Sequence, residues 1–200
     1  MTQEVDFYFG PGSRYSYLAS TQLGRIERET GCRFRWLPLQ SGPLISAGRK
    51  DPFEGAAGQY DWDYRKQDAA AWARHYGIDY LEPVDRLAFD PLLAALACLA
   101  AERQGAAEFF SRAVMSLIFI TPGERLVQED FEQAADFGGL DVGRFRSDME
   151  SDNLLHDMEA RVKEAARRGA FGVPTFFLGE QMFWGNDRLV LLEAALRERT

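Results

Sequence analysis

The stretch Gly172-Val173-Pro174-Thr175-Phe176-Phe177-Leu178 restricts this chain more than any other. Thr175 to Leu178 has the β-branched, aromatic and aliphatic make-up of a buried strand, and Gly172 and Pro174 punctuate its start. Proline brings no N–H to a ladder and is kept out of strand interiors, so a proline directly ahead of a core strand needs a reason. Two readings are open. The Val173-Pro174 bond is cis, a form that X–Pro bonds tolerate at small cost, or the proline is an ordinary trans lead-in to the strand.

The residues on either side say what this strand joins. Downstream, Gly179-Glu180 separates Thr175–Leu178 from 181–183 and fits the Gly-X loop of a type II′ hairpin, which makes the two strands antiparallel. Asn186 or Asp187 then reads as the cap of a last helix with Leu189, Leu192 and Leu196 inward. At the other end of the chain, Val5 to Phe9 alternates as a strand with Val5, Phe7 and Phe9 on one face. Gly10-Pro11-Gly12 breaks it, and Ser13 stands where the N-cap of a helix over 15–30 belongs, with Gly31 as its C-terminal stop. Residues 34–37 form a second strand closed by Pro38. The chain thus opens βαβ, with a right-handed crossover, and closes ββα.

Between these halves the patterns are almost wholly helical. Residues 40–58 are rich in glycine and proline and read as a loop. Helices follow over 63–76, 91–103, 106–118, 128–137, 142–149 and 153–168. Their apolar stripes (Leu92, Leu93, Leu96 and Leu99; Phe109, Phe110, Ala113, Val114 and Leu117; Leu154, Leu155, Met158 and Val162) read as core faces. The layout predicts an α/β chain with a thioredoxin-like fold, residues 1–40 and 170–200, and a large all-helical domain, 41–169, inserted between its halves as part of one structural unit. With 46% of 200 residues hydrophobic and 13% aromatic, a core of that size can be filled.

Several functions are disfavoured. A net charge of −8 opposes nucleic acid as a partner. No apolar run reaches the roughly 18–20 residues a membrane span requires. The first residues, Met1 to Glu4, lack the basic and apolar regions of a signal peptide, so a cytoplasmic location is expected. The two cysteines, Cys32 and Cys98, have no CxxC spacing, and the two histidines, His75 and His156, are too isolated for a metal site.

In a thioredoxin-like fold the chemistry sits at the start of the first helix, where unpaired N–H groups and the helix dipole stabilise a thiolate. Here that position reads Ser13-Arg14-Tyr15-Ser16. Serine forms no disulfide, so this chain's own side chains carry out no thiol exchange there. A hydroxyl can still donate to a thiolate that a cofactor brings, and glutathione is the obvious candidate. Ser13 reads equally well as a helix cap and nothing more, as does Asp187, and Tyr17 and Trp184 as core aromatics.

Phe7-Tyr8-Phe9 followed by Ser13-Arg14-Tyr15-Ser16-Tyr17-Leu18-Ala19 resembles the N-terminal motif of the 2-hydroxychromene-2-carboxylate isomerases, relatives of the kappa-class glutathione transferases in the DsbA-like superfamily. Gly172 to Phe176 and Met182-Phe183-Trp184-Gly185-Asn186-Asp187-Arg188-Leu189 resemble a second motif of that family. The helix from Asp68 through Trp72-Ala73-Arg74 to Tyr76-Gly77 is similar to a third. The resemblance implies glutathione as cofactor, with Ser13 on the sulfur as the catalytic residue. It implies that the backbone of Val173, beside cis-Pro174, pairs with the cysteinyl part and that Asn186 and Asp187 hold the γ-glutamyl end. The reaction implied is thiolate addition to a conjugated aromatic or enone substrate, bond rotation and elimination, in a homodimer. A kappa-like conjugating transferase and a non-catalytic DsbA-like protein that binds peptide at the cis-Pro edge are the alternatives. The chain departs from the family at Gly10 (usually aspartate), at Pro11-Gly12, and at Arg14 (usually proline). Arg49 stands where asparagine is common, leaving Arg49 or Lys50 to meet the glycyl carboxylate, and Asp61 stands where lysine is expected.

Overall fold

The computed structural model describes residues 2–48 and 61–199. Strand β1 (Glu4–Phe9) leads into helix α1 (Arg14–Thr30) and strand β2 (Arg33–Pro38). Helices α2 (Ser41–Gly48), α3 (Trp62–Tyr76), α4 (Pro91–Glu102), α5 (Ala107–Phe119), α6 (Gln128–Phe137), α7 (Val142–Met149) and α8 (Asp152–Arg167) follow. The chain closes with β3 (Thr175–Leu178), β4 (Gln181–Trp184), a 3-10 turn (Asn186–Arg188) and α9 (Leu189–Glu198). This is the thioredoxin-like α/β arrangement with helices inserted between its halves.

The sheet runs β2-β1-β3-β4. β1 pairs in parallel with β2, Glu4 opposite Arg33 through Phe9 opposite Pro38, and antiparallel with β3, Phe7 opposite Phe176. As an inner strand β1 is buried on both faces, so Asp6 and Tyr8 are covered as well as Val5, Phe7 and Phe9. Asp6 is tolerated there because Arg35 and Arg168 both ion-pair with it, at 2.6 and 2.5 Å. The Phe7 ring stacks 5.0 Å from Phe176 and meets Trp36 edge-on at 5.0 Å, which joins three strands through one aromatic cluster. The β3–β4 hairpin turns on Gly179 at φ +62°, the positive value that the first residue of a type II′ loop requires.

Several expectations are corrected. Residues 41–48 form α2 rather than a loop, although residues 49–60 of the expected loop lie outside the described residues. Pro43 sits in its first turn, where a missing N–H costs nothing, and fully buried Leu44 anchors it against α8. Phe109 and Leu155 are exposed rather than inward. In α4 the most buried face is the small one (Ala94, Ala97, Cys98, Ala101), because close helix packing favours alanine over the leucine stripe. Neither Asn186 nor Asp187 caps α9, whose start has no side-chain cap and is preceded by the 3-10 turn.

Candidate active site

The Val173-Pro174 bond is cis. The Thr175 hydroxyl, wholly buried, donates to Gly172 O at 2.7 Å, and the Gly185 amide donates to Pro174 O at 2.9 Å. The loop before β3 is therefore tied both to its own strand and to the turn that follows β4. The end of β1 closes on it from the other side. A Cβ at Gly10 would lie 3.3 Å from Ser41 and 3.5 Å from Val173, and one at Gly12 would lie 2.9 Å from the Phe89 ring. A side chain at Gly10 would press on Ser41 and Val173, and one at Gly12 would displace the Phe89 ring.

A cavity of about 410 Å³ opens beside this loop. Val173, Gly185, Asn186 and Asp187 line it together with Tyr15 from α1 and Asp68 and Trp72 from α3. Trp184 also lines it and is 44% exposed, so it is a wall residue and not a core one. Three of the expected binding residues, Val173, Asn186 and Asp187, thus meet at one cavity, with Pro174 directly behind Val173. Arg49 and Lys50 lie outside the described residues. Asp61 caps α3, accepting from the Tyr64 amide at 2.8 Å.

Ser13 sits at the start of α1 in extended conformation, partly exposed. Its Oγ accepts from the Ser16 amide at 3.3 Å. The cap reading is therefore borne out, and it leaves the hydroxyl proton free to donate, because the cap bond uses only a lone pair. Ser16, at the fourth position of the motif, is fully buried and its Oγ makes no hydrogen bond among the described residues. Arg14 forms a bidentate pair with Glu82, at 2.7 and 3.3 Å, which also accepts from Tyr80 at 2.6 Å.

The Tyr15 hydroxyl donates to Asp68 at 2.8 Å; burial first, and that bond second, hold its pKa well above the ordinary value, so it is a neutral donor. Asn186 is 3% exposed, and its covered Nδ2 stands against the half-buried Tyr76 phenol, whose pKa burial raises and the Asn186 side chain partly lowers. Cys98 does not line the cavity and its thiol is pushed up to about 12 by burial; Cys32 is raised by the same cause. Among the described residues no group of three potential metal ligands occurs, and no helix is long and apolar enough to cross a membrane.

The contribution of α3 was not assigned from sequence. Tyr64, Asp68 and Trp72 recur at four-residue spacing and all line the cavity, a polar and aromatic stripe that does not suit a core face. That mismatch was the available signal.

The family model for the DSBA-like thioredoxin domain matches residues 4–197. Over 197 residues the chain is 31% identical to a 2-hydroxychromene-2-carboxylate isomerase of Sphingobium xenophagum, covering 98% of this chain and 99% of that one. It is 29% identical, over 96% of this chain and 93% of the other, to the enzyme of that name from Pseudomonas putida. A solved 2-hydroxychromene-2-carboxylate isomerase superposes with a TM-score of 0.76 at 29% identity, covering 98% of this chain and 95% of that one.

Proposed function

This chain belongs to the 2-hydroxychromene-2-carboxylate isomerase family of DSBA-like thioredoxin domains, and on that premise we propose that it is a glutathione-dependent isomerase of an aromatic or enone acid. The observation that carries the reading is the single cavity that gathers Val173, beside cis-Pro174, and the Asn186-Asp187 turn against Tyr15 of α1. The residues present fit glutathione. Val173 offers backbone groups next to cis-Pro174 for an extended cysteinyl unit, as an added strand would use them. Asn186 and Asp187 hold the γ-glutamyl end, with the Asp187 carboxylate meeting its ammonium.

When bound, glutathione supplies a thiolate that adds reversibly to a conjugated double bond, which permits rotation before elimination. Ser13 holds that sulfur through its free hydroxyl proton, and the α1 N-terminus supports the negative charge. Tyr15, kept neutral by burial and by Asp68, presents a fixed ring to the ligand. Trp72 and Trp184 add apolar walls suited to an aromatic substrate.

The test is turnover of 2-hydroxychromene-2-carboxylate followed by absorbance, with and without glutathione. Isomerisation that needs only catalytic amounts of glutathione, recovered unchanged, is expected. No turnover with glutathione present, or its consumption into a stable conjugate, overturns the isomerase reading, and the second outcome favours a transferase.

A further inference from the structure

Beside Tyr15, which lines the same cavity, stands a cation with no assigned task. The Arg65 guanidinium, on α3, lies 5.7 Å from the centroid of the Tyr15 ring and 5.3 Å from that of Trp62. Arg14 lies over the same Trp62 ring at 5.2 Å, but its charge is already engaged by Glu82. Other half-buried arginines also have acceptors: Arg25 pairs with Glu193, Arg161 with Glu102, and Arg86 donates to the Thr121 carbonyl. Among the described residues Arg65 alone of the buried and half-buried arginines has neither a carboxylate nor a carbonyl for its guanidinium.

A partly desolvated cation without an acceptor is costly. Ring faces offset part of that cost through their quadrupoles without taking up the guanidinium's donors. Its N–H fork is left free, the group that matches a carboxylate with two parallel bonds. The ring beneath it is fixed, because the Tyr15 hydroxyl is tied to Asp68. Of the charged groups that line the cavity, Asp68 takes the Tyr15 hydroxyl and Arg188 pairs with Asp187 at 3.3 Å, so the uncommitted cation nearest Tyr15 is Arg65.

Taking the site reading above as the premise, we infer that Arg65 is a carboxylate-binding residue of this site, gripping a ligand acid group on the Tyr15 side of the cavity. Two ligands carry that group: glutathione at its glycyl end, and the aromatic acid substrate. The neighbouring Arg14 stays with Glu82 and takes no part.

The test uses two acid and amide pairs on the full chain: glutathione against its glycine amide by calorimetry, and 2-naphthoate against 2-naphthamide by tryptophan fluorescence. In the native protein at least one acid binds tenfold or more tighter than its amide. Arg65→Gln abolishes that preference, and Arg65→Lys, which keeps the charge but not the fork, restores part of it, with thermal melts unchanged in both. The pair that shows the effect identifies the source of the carboxylate. Equal binding of acid and amide in both pairs, or acid affinities within twofold after Arg65→Gln, overturns the assignment. If the glutathione reading itself fails, neither glutathione nor its amide binds, while 2-naphthoate keeps its Arg65-dependent preference.

Discussion

The first helix and the last both begin at the cavity, and the polar groups at the two starts are finished differently. At the start of α1, Ser13 takes the Ser16 amide, and Glu82 receives two bonds from Arg14, one from Tyr80 and one from the Val84 amide. At the turn leading into α9 there is no side-chain cap, and Asn186 is buried beside the Tyr76 phenol. The first start is tied by a buried ion pair, with only the Ser13 hydroxyl proton and the buried Ser16 Oγ left over; among the described residues the second carries no ion pair to the rest of the chain. The first is built for stability, and the second is the one that the proposed function assigns to the ligand.

The widest separation of the two starts comes from Glu82→Ala. It leaves Arg14 buried and unpaired, for which a loss of about 3–5 kcal/mol in urea unfolding is expected. A loss below about 1 kcal/mol, the range of a surface pair, would erase the distinction. The same group gives a pH signature. Burial alone would raise the Glu82 carboxyl, but the bonds from Arg14 and Tyr80 outweigh it and hold the carboxyl below its ordinary value of 4.5. A depressed folded value means that its stabilisation is present above about pH 4.5 and fades as pH falls through the folded value. The stability gap between native protein and Glu82→Gln should therefore narrow below pH 4.5. A gap that widens there contradicts the assignment.

Gly185→Ala comes next. Gly185 has φ +105°, and a Cβ there would stand 2.4 Å from Asp187 Oδ1. The strain should lower stability by about 1–3 kcal/mol and push Asp187 out of place, with at least a tenfold loss of glutathione affinity. Native-like affinity in a destabilised variant would show that Asp187 holds no ligand. Asn186→Ala should show the opposite balance to Glu82→Ala, changing ligand-free stability by only about 1 kcal/mol because it loses a neutral contact to Tyr76 and strands no buried charge. Its effect appears on ligand binding instead, by tenfold or more. The smallest effect is that of Asp61→Ala, which removes the α3 cap for about 1 kcal/mol and leaves glutathione affinity within twofold. A larger change in affinity would give Asp61 a role at the site.

Features set by neighbours in the chain were readable from the sequence. Gly31 and Gly77 end α1 and α3 at positive φ, and Gly179 turns the last hairpin. Helices α6 and α7 span the residues expected of them, 128–137 and 142–149. Features set across the chain were not. Leu44 makes a helix of a Gly/Pro-rich stretch only because α8 is there to receive it. Arg14 finds Glu82 across 68 positions, and Tyr15 finds Asp68 across 53. The site was legible by halves for the same reason. Val173, Asn186 and Asp187 lie close in sequence and could be grouped, whereas the wall from α3 is brought to them by tertiary packing alone.

The central claim is that Ser13 and the Asn186-Asp187 turn hold glutathione with its sulfur as a thiolate. The most direct measurement is titration calorimetry of reduced glutathione on the native protein, beside S-methylglutathione and beside Ser13→Ala. A hydrogen bond to a charged sulfur contributes about 1.5–3 kcal/mol, so the methylated ligand and the variant should each bind tenfold or more weakly than the micromolar to low-millimolar native pair. No heat at several millimolar glutathione, or equal affinity across all three titrations, contradicts it.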